Sequence, residues 1–186
     1  MPVAIISVYD KTGLDYVGKL LVAQNFEIYA TEGTLNYLNM HGIKAEPVKK
    51  LMNNPVGFED MFSSVSFTTV VGALSENDDQ IIMCGSKRIN LIIYNFVPTW
   101  EVIHGLNDFN IHNVDFGGPT MVRAAAINYK NVVIIINPSQ YQLLSSFDSL
   151  SQKDKRELAK QAFEYTSSYD KELANYIGGR IHDKEN

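Results

Sequence analysis

Residues 114–128 read VDFGGPTMVRAAAIN, and this stretch decides how the chain folds. Gly117 and Gly118 allow the backbone to approach a ligand closely, and Pro119 suits the first position of a helix. The residues after Pro119 are good helix formers, so the stretch predicts a loop that presents free N–H groups at a helix start. Such a loop can bind an anion. A turn whose glycines serve only tight packing would have the same sequence, and the stretch alone favours that interpretation.

Apolar runs alternate with helical patterns on both sides of this stretch, as they do in proteins with parallel sheets. The predicted strands are residues 3–8, 26–30, 43–48, 91–97 and 132–136, and residues 68–74 could form a strand or a helix. The predicted helices start at 14, cover 34–41 and 100–106, follow Gly118 to about Tyr129, and run from 151 to Gly178 and Gly179. Because connections between parallel strands are right-handed, this order predicts an α/β fold: a three-layer, mostly parallel sheet with helices on both faces.

The composition is that of an ordinary folded domain. The 186 residues are 45% hydrophobic and 20% charged, which predicts a single domain over residues 1–186. A net charge of -5 disfavours a nucleic-acid partner, because nucleic-acid surfaces need clustered Lys and Arg. Cys84 is the only cysteine, which excludes an intrachain disulfide. No apolar run reaches the roughly 20 residues of a membrane-spanning helix, so we expect a cytoplasmic protein with no membrane partner.

A second candidate anion loop, residues 7–13 with the sequence SVYDKTG, follows the first strand. Ligands of open α/β sheets bind beyond the carboxyl ends of the strands, which is where Lys11, Thr12 and the N–H of Gly13 are expected. Residues 12–15 also resemble a capping box with Asp in place of Glu. An exposed lysine beside an ordinary helix start is the alternative, and the spacing alone favours it.

A third loop, residues 30–34 with the sequence ATEGT, lies between the second strand and its helix. Thr31 or Thr34 could cap the helix and bond a phosphate oxygen, and Gly33 permits close approach. Simple capping of the helix is the alternative here.

The three loops resemble, in chain order, motifs of the inosine monophosphate (IMP) cyclohydrolase domain: S-V-S-D-K-T-G, S-T-G-G-T and D-I-G-G-P-x-M-V-R-A-A-A-K-N-H. Residues 158–170, LAKQAFEYTSSYD, look like that family's L-A-x-K-A-F-x-x-T-A-x-Y-D helix, so the resemblance runs nearly end to end. It implies a methylglyoxal synthase-like fold and a homodimer. The implied reaction closes the ring of formamidoimidazole carboxamide ribonucleotide to IMP with loss of water, and it requires no metal or organic cofactor. The family's formyltransferase domain is not expected within residues 1–186.

The resemblance also implies a set of site residues. Asp115 matches a catalytic position of the family. The implied phosphate- and substrate-binding positions are Ser7, Lys11, Thr12, Gly13, Thr31, Gly33, Thr34, Asn95, Phe116, Gly117 and Gly118.

Three other catalytic positions of the family are changed. Its R-V-K-T-L-H-P loop corresponds to residues 63–69, which contain no cation, and the Tyr of N-L-Y-P-F is replaced by Val97. The Lys of R-A-A-A-K-N-H is Ile127 and the His is Tyr129. Val cannot move a proton or donate to an oxyanion, and Ile cannot replace an ammonium group, so Asp115 is the one catalytic side chain kept.

The anion loops differ from the family as well. Tyr9 stands in place of the second Ser of the first motif, Ala30 in place of the Ser of the second, and Glu32 in place of a Gly. A Glu32 that points inward would repel phosphate, whereas one that faces solvent would be harmless.

The sequence leaves two main functions open, with a third less favoured. The chain is either a divergent cyclohydrolase of purine biosynthesis or a non-catalytic module that binds a purine ribonucleotide on the same fold. Different chemistry on a phosphorylated small molecule, as in methylglyoxal synthase, ranks last. The four histidines lack metal-ligand spacing, so we expect no metal site, and Cys84 is expected to be a buried apolar residue.

Overall fold

The computed structural model describes residues 1–51, 87–104, 114–115 and 117–183. Some predictions from the sequence concern positions outside these described residues, namely residues 63–69, residues 68–74, Cys84, His112 and Phe116. The described part of the chain contains five strands, five α-helices and two 3₁₀ segments.

The strands form one parallel sheet. They are β1 (Val3–Val8), β2 (Glu27–Ala30), β3 (Glu46–Pro47), β4 (Leu91–Asn95) and β5 (Val133–Ile135). Their order across the sheet is β3-β2-β1-β4-β5, and every pair of neighbours is parallel. All five correspond to predicted strands, and the parallel sheet confirms the α/β fold class.

Four of the described helices lie between strands along the chain, and the fifth follows β5. They are α1 (Leu14–Ala23), α2 (Glu32–Met40), α3 (Thr99–His104), α4 (Gly117–Ile127) and α5 (Gln152–Asp183). The 3₁₀ segments are Val48–Leu51 and Pro138–Ser149. No helix among the described residues has both the length and the apolar character needed to cross a membrane.

The direction of the connections places the helices on two faces. From β1 through β2 to β3 the chain moves one way across the sheet, so right-handed crossovers place α1 and α2 on one face. From β4 to β5 it moves the opposite way, which places α4 on the other face, where it packs against α5. The order reverses between β1 and β4, and the carboxyl ends of these two strands therefore border the switch-point crevice.

The core lies between the sheet and both helix layers. β1 and β4 are almost entirely inaccessible, with Ile5 and Ile92 both 0% exposed, because helices cover both faces of these central strands. Leu14, Leu21 and Leu144 extend the core on the α1 face. This rigid centre fixes the positions of the loops that leave the carboxyl ends of β1 and β4.

Two predictions about helix ends were wrong. The predicted capping box at 12–15 does not form: Gly13 is the N-cap of α1, with φ 69°, and no side chain caps the helix. The Thr12 N–H is instead taken by the Asp10 carboxylate, 2.9 Å away. Gly178 and Gly179 do not end α5, which continues to Asp183. Glycine inside a helix costs only about 1 kcal/mol relative to alanine and does not by itself stop the helix.

Candidate functional site

The candidate site lies at the carboxyl edge of the sheet. Ser7 pairs in register with Tyr94, and Val8 pairs with Asn95, so the last residues of β1 and β4 stand side by side. Neighbouring residues of a strand point to opposite faces, and in-register partners share a face. Ser7 and Tyr94 therefore lie on one face of the edge, and Asn95 lies on the other.

Asn95 shapes the loop between β1 and α1. Its side-chain oxygen accepts hydrogen bonds from the N–H groups of Tyr9, at 2.7 Å, and Asp10, at 2.8 Å. Its amide nitrogen donates to the Asp10 carbonyl at 3.1 Å. The resemblance implies that Asn95 binds the ligand. In the structure its side chain is only 8% exposed and holds the loop.

Some hydrogen-bond donors at the start of α1 already have partners within the loop. Lys11 donates to the carbonyls of Val8 and Tyr9, both at 3.3 Å, so its ammonium group lies back over the end of β1. The hydrogen bond from Thr12 lowers the pKa of the Asp10 carboxyl. A negative charge is thus already present at this helix start. Thr12 and Gly13 are exposed, and Gly13 packs beside Tyr141.

The loop between β2 and α2 is tied to the end of β1. The Thr34 hydroxyl is buried, where it accepts from the Val8 N–H at 3.1 Å and donates to the Val8 carbonyl at 3.3 Å. Thr31 is the N-cap residue of α2, but its hydroxyl donates to the Ser7 hydroxyl at 3.0 Å instead of capping the helix. Thr34 therefore holds the loop in place, while Thr31 and Ser7 present a half-buried pair of hydroxyls at the edge of the sheet.

Asp115 caps α4 and binds a buried tyrosine. One carboxylate oxygen accepts from the Gly118 N–H at 2.8 Å, and the other accepts from the Tyr94 hydroxyl at 3.0 Å. The Asp115 N–H donates to the Tyr169 hydroxyl at 3.0 Å. A Cβ atom at Gly118 would lie 2.5 Å from both Asp115 Oδ2 and Tyr94 Cε1, so the close approach of backbone and ring requires glycine.

Two hydrogen-bonded pairs lie at this edge of the sheet. Thr31 donates to the Ser7 hydroxyl and Tyr94 donates to the Asp115 carboxylate, each at 3.0 Å. Ser7 and Tyr94 are in-register neighbours on β1 and β4, so the two pairs meet at the ends of these strands.

Burial shifts the pKa values of Asp115 and Tyr94. Burial raises the pKa of the Asp115 carboxyl, and the hydrogen bonds from Gly118 and Tyr94 only partly oppose it. Burial, and then the nearby Asp115 carboxylate, raises the pKa of Tyr94 well above its usual range. Asp115 is thus a carboxyl group that holds a proton more readily than an exposed one, a property typical of carboxyls that move protons.

A groove of about 590 Å³ also opens at this edge of the sheet. Asn95, the last residue of β4, lines it together with residues that follow β1 and β5, among them Lys11 and Asn137. The Tyr9 hydroxyl donates to the Glu101 carboxylate at the rim of the groove, and Trp100 is 62% exposed there.

The remaining residues singled out in the sequence lie on α2, on α4 and just after β4. Glu32 is exposed at the start of α2 and Gly33 has open space beside it, so the carboxylate does not fill the edge of the sheet. Gly117 and Gly118 belong to the first turn of α4 and not to a loop. Val97 is half-buried, and Ile127 is 59% exposed at the end of α4.

Tyr94 is the residue of the candidate site that the sequence analysis missed. A tyrosine inside an aliphatic strand follows the pattern of a core residue. The available signal was its hydroxyl, since a buried phenol nearly always needs a partner. Within the described residues, no group of three or more His, Cys, Asp or Glu side chains could hold a metal ion.

Comparisons with known proteins agree with the resemblance seen in the sequence. Residues 125–186 match the model of the AICARFT/IMPCHase bienzyme family. The bifunctional purine biosynthesis protein PurH of Cutibacterium acnes is 32% identical over 95% of this chain, and that of Acetivibrio thermocellus is 34% identical over 98%. The chain spans 36% and 38% of the length of these two relatives.

A solved structure shares the fold. The crystal structure of ForH superposes with a TM-score of 0.78, covers 95% of this chain and 98% of the ForH chain, and is 24% identical in sequence. This similarity concerns the fold alone.

Proposed function

This chain is an IMP cyclohydrolase-like domain of the family to which PurH belongs, and on that premise we propose that it closes the purine ring of formamidoimidazole carboxamide ribonucleotide. The single observation that carries the proposal is the Asp115 carboxyl, which is held by the Gly118 N–H and the Tyr94 hydroxyl at the carboxyl edge of the sheet. The ligand is a purine ribonucleotide precursor. Its phosphate would lie where the half-buried hydroxyls of Ser7 and Thr31 meet.

The reaction suits a site with few catalytic groups. The carboxamide nitrogen attacks the formyl carbon and a C–N bond forms, after which the formyl oxygen leaves as water. The two hydrogens of that water come from the carboxamide nitrogen and the formamido nitrogen. Because both partners belong to one molecule, holding the reactive conformer supplies much of the rate, and a single proton-transfer group supplies more.

In this proposal Asp115 transfers the proton. Its raised pKa lets the carboxyl hold a proton closer to neutral pH than an exposed aspartate does, which favours proton exchange with nitrogen and oxygen. Val97 and Ile127 supply neither a donor nor a cation. Removing one oxyanion donor typically lowers the rate about 10²- to 10³-fold, so we expect slower turnover than a complete site would give.

The test is an absorbance assay of cyclisation with the purified chain, the Asp115→Asn variant and a no-enzyme reaction. Wild type should exceed the uncatalysed rate, and Asp115→Asn should approach it. A wild-type rate equal to the uncatalysed rate would end the catalytic proposal.

A second candidate function is nucleotide binding without turnover. The specific observation that favours it is that both oxygens of Asp115 already hold hydrogen bonds within the protein, while Val97 and Ile127 are aliphatic. Calorimetric titration with IMP separates the two functions: binding without a cyclisation rate supports this one. A homodimer and a cytoplasmic location stay predictions, and light scattering of the purified chain tests the first.

A further inference from the structure

The groove at the carboxyl edge of the sheet contains a hydroxyl whose hydrogen has no acceptor among the described residues. Tyr165 of α5 is half-buried and lines the groove. Its oxygen accepts from the Phe96 N–H at 2.9 Å, and its ring stacks on the Phe96 ring with the two centroids 4.5 Å apart. A tyrosine hydroxyl also has one hydrogen to donate, and no described residue accepts it from Tyr165. The phenol is therefore a donor that the protein holds in place in the groove wall.

Asn137, on the loop after β5, is a second donor of this kind. Its side-chain oxygen accepts from the Ser139 N–H at 2.9 Å, and this bond orients the amide group. The amide nitrogen has two hydrogens, and neither is accepted by a residue of the described part of the chain. Because Asn137 is exposed and lines the groove, these hydrogens are accessible to a ligand.

The charges of the groove disfavour an anionic group inside it. Two carboxylates, those of Asp10 and Glu101, line the groove together with one ammonium group, that of Lys11. The Lys11 ammonium group already donates to two backbone carbonyls. At the rim, Trp100 is 62% and Tyr9 43% exposed, and a planar ring can stack on such aromatic side chains. The ligand group that fits is uncharged, planar and supplied with hydrogen-bond acceptors.

We propose that Tyr165 and Asn137 are binding residues that recognise the heterocycle of the purine ribonucleotide, by donating hydrogen bonds to its carbonyl oxygen and ring nitrogens. The choice of this ligand rests on the proposed function. A hypoxanthine ring is planar and uncharged, and its carbonyl oxygen and unprotonated ring nitrogens are acceptors. The groove volume of about 590 Å³ lies within the range of small-molecule sites, roughly 300–1,000 Å³.

The test titrates the full chain with inosine, which carries the heterocycle without the phosphate. Trp100 is the only tryptophan of the chain, so its fluorescence reports directly on the rim of the groove. The proteins compared are wild type, Tyr165→Phe, Asn137→Asp and Tyr169→Phe. Asn137→Asp keeps a side-chain oxygen for the Ser139 N–H and removes only the amide hydrogens, so it should fold as wild type does.

Tyr169→Phe is the matched control for Tyr165→Phe. Tyr169 lies one turn further along α5, and its hydroxyl likewise accepts one backbone N–H, that of Asp115, at 3.0 Å. It is 5% exposed and does not line the groove. Both variants therefore leave one backbone N–H without its acceptor, but only Tyr165→Phe removes a donor from the groove.

We expect a saturable change of Trp100 fluorescence with the same Kd in wild type and Tyr169→Phe. The Kd should be about three- to tenfold higher in Tyr165→Phe and in Asn137→Asp, because each loses one hydrogen bond to the ligand. No change of fluorescence up to millimolar inosine would overturn the inference. So would an equal Kd in wild type and Tyr165→Phe, or an equal increase in Tyr165→Phe and Tyr169→Phe.

Failure of the proposed function gives a different result. A wild-type chain that binds inosine through Tyr165, but neither cyclises the precursor nor binds IMP more tightly than inosine, keeps the groove site and loses the proposed function. A chain that cyclises the precursor with the same KM in wild type and Tyr165→Phe keeps the proposed function and loses the groove site.

Discussion

Gly118→Ala tests whether the Asp115–Tyr94 contact has the tight geometry described above. The new Cβ would lie 2.5 Å from Asp115 Oδ2, 2.5 Å from Tyr94 Cε1 and 2.6 Å from Tyr94 Cζ. Contacts this short require the ring or the carboxylate to move. Tyr94 is only 8% exposed and belongs to the hydrophobic core, so the ring cannot move without disturbing its neighbours.

The expected cost follows from three contributions. Overpacking a buried site costs about 1–3 kcal/mol, and a weakened Tyr94–Asp115 hydrogen bond costs about 1 kcal/mol more. Alanine in a helix offsets about 1 kcal/mol of this loss. We expect Gly118→Ala to lower the free energy of unfolding by about 1–3 kcal/mol, measured by urea denaturation followed by circular dichroism.

Gly178→Ala is the matched control. Gly178 lies in α5, where an added Cβ would meet nothing within 4 Å beyond its own helix backbone, so the same substitution should stabilise by up to about 1 kcal/mol. If Gly118→Ala is as stable as wild type while Gly178→Ala behaves as expected, the tight approach of Tyr94 and Asp115 to Gly118 is refuted.

Three further predictions concern the same edge of the sheet. Asn95→Ala should cost about 1–3 kcal/mol, because the loop N–H groups of Tyr9 and Asp10 lose their acceptor. Their amide hydrogen exchange should become faster, and unchanged exchange would contradict the role of Asn95. Thr34→Val should cost about 1–3 kcal/mol through the lost bonds to Val8, whereas Thr34→Ser should cost less in the same denaturation assay; equal losses would be inconsistent with a hydrogen-bonding role. Because the pKa of Asp115 is higher in the folded than in the unfolded chain, its ionisation lowers stability as pH rises through the folded pKa. The free energy of unfolding of Asp115→Asn, relative to that of wild type, should therefore rise from acidic to neutral pH. A difference that stays constant with pH would show that the pKa of Asp115 is the same in the folded and the unfolded chain.

The fold was predictable because its main signals are local. Unbroken apolar runs such as 3–8 and 91–95 belong to strands buried on both faces, and the alternation with helices predicts parallel pairing. Gly42 directly follows the predicted helix over 34–41, and it has the φ of 71° that favours glycine just past a helix end.

The errors and omissions arise where contacts between residues far apart in the sequence determine the local structure. The capping box failed because Asp10 takes the Thr12 N–H, a choice that depends on how Asn95, 85 residues away, holds Asp10. Tyr94 and Asp115 are 21 residues apart, and only the folded sheet brings the phenol to the carboxylate. The resemblance implies roles for Asp115 and the loop positions that stay predictions, and it could not show that the Asn95 and Thr34 side chains bind backbone groups within the protein.

The most direct test of phosphate recognition at this edge is a paired calorimetric titration of the chain with IMP and with inosine, which lacks the phosphate. The proposed site predicts that IMP binds at least about tenfold more tightly than inosine, a difference of about 1.4 kcal/mol. Equal affinity for the two ligands, or no binding of IMP, would contradict it.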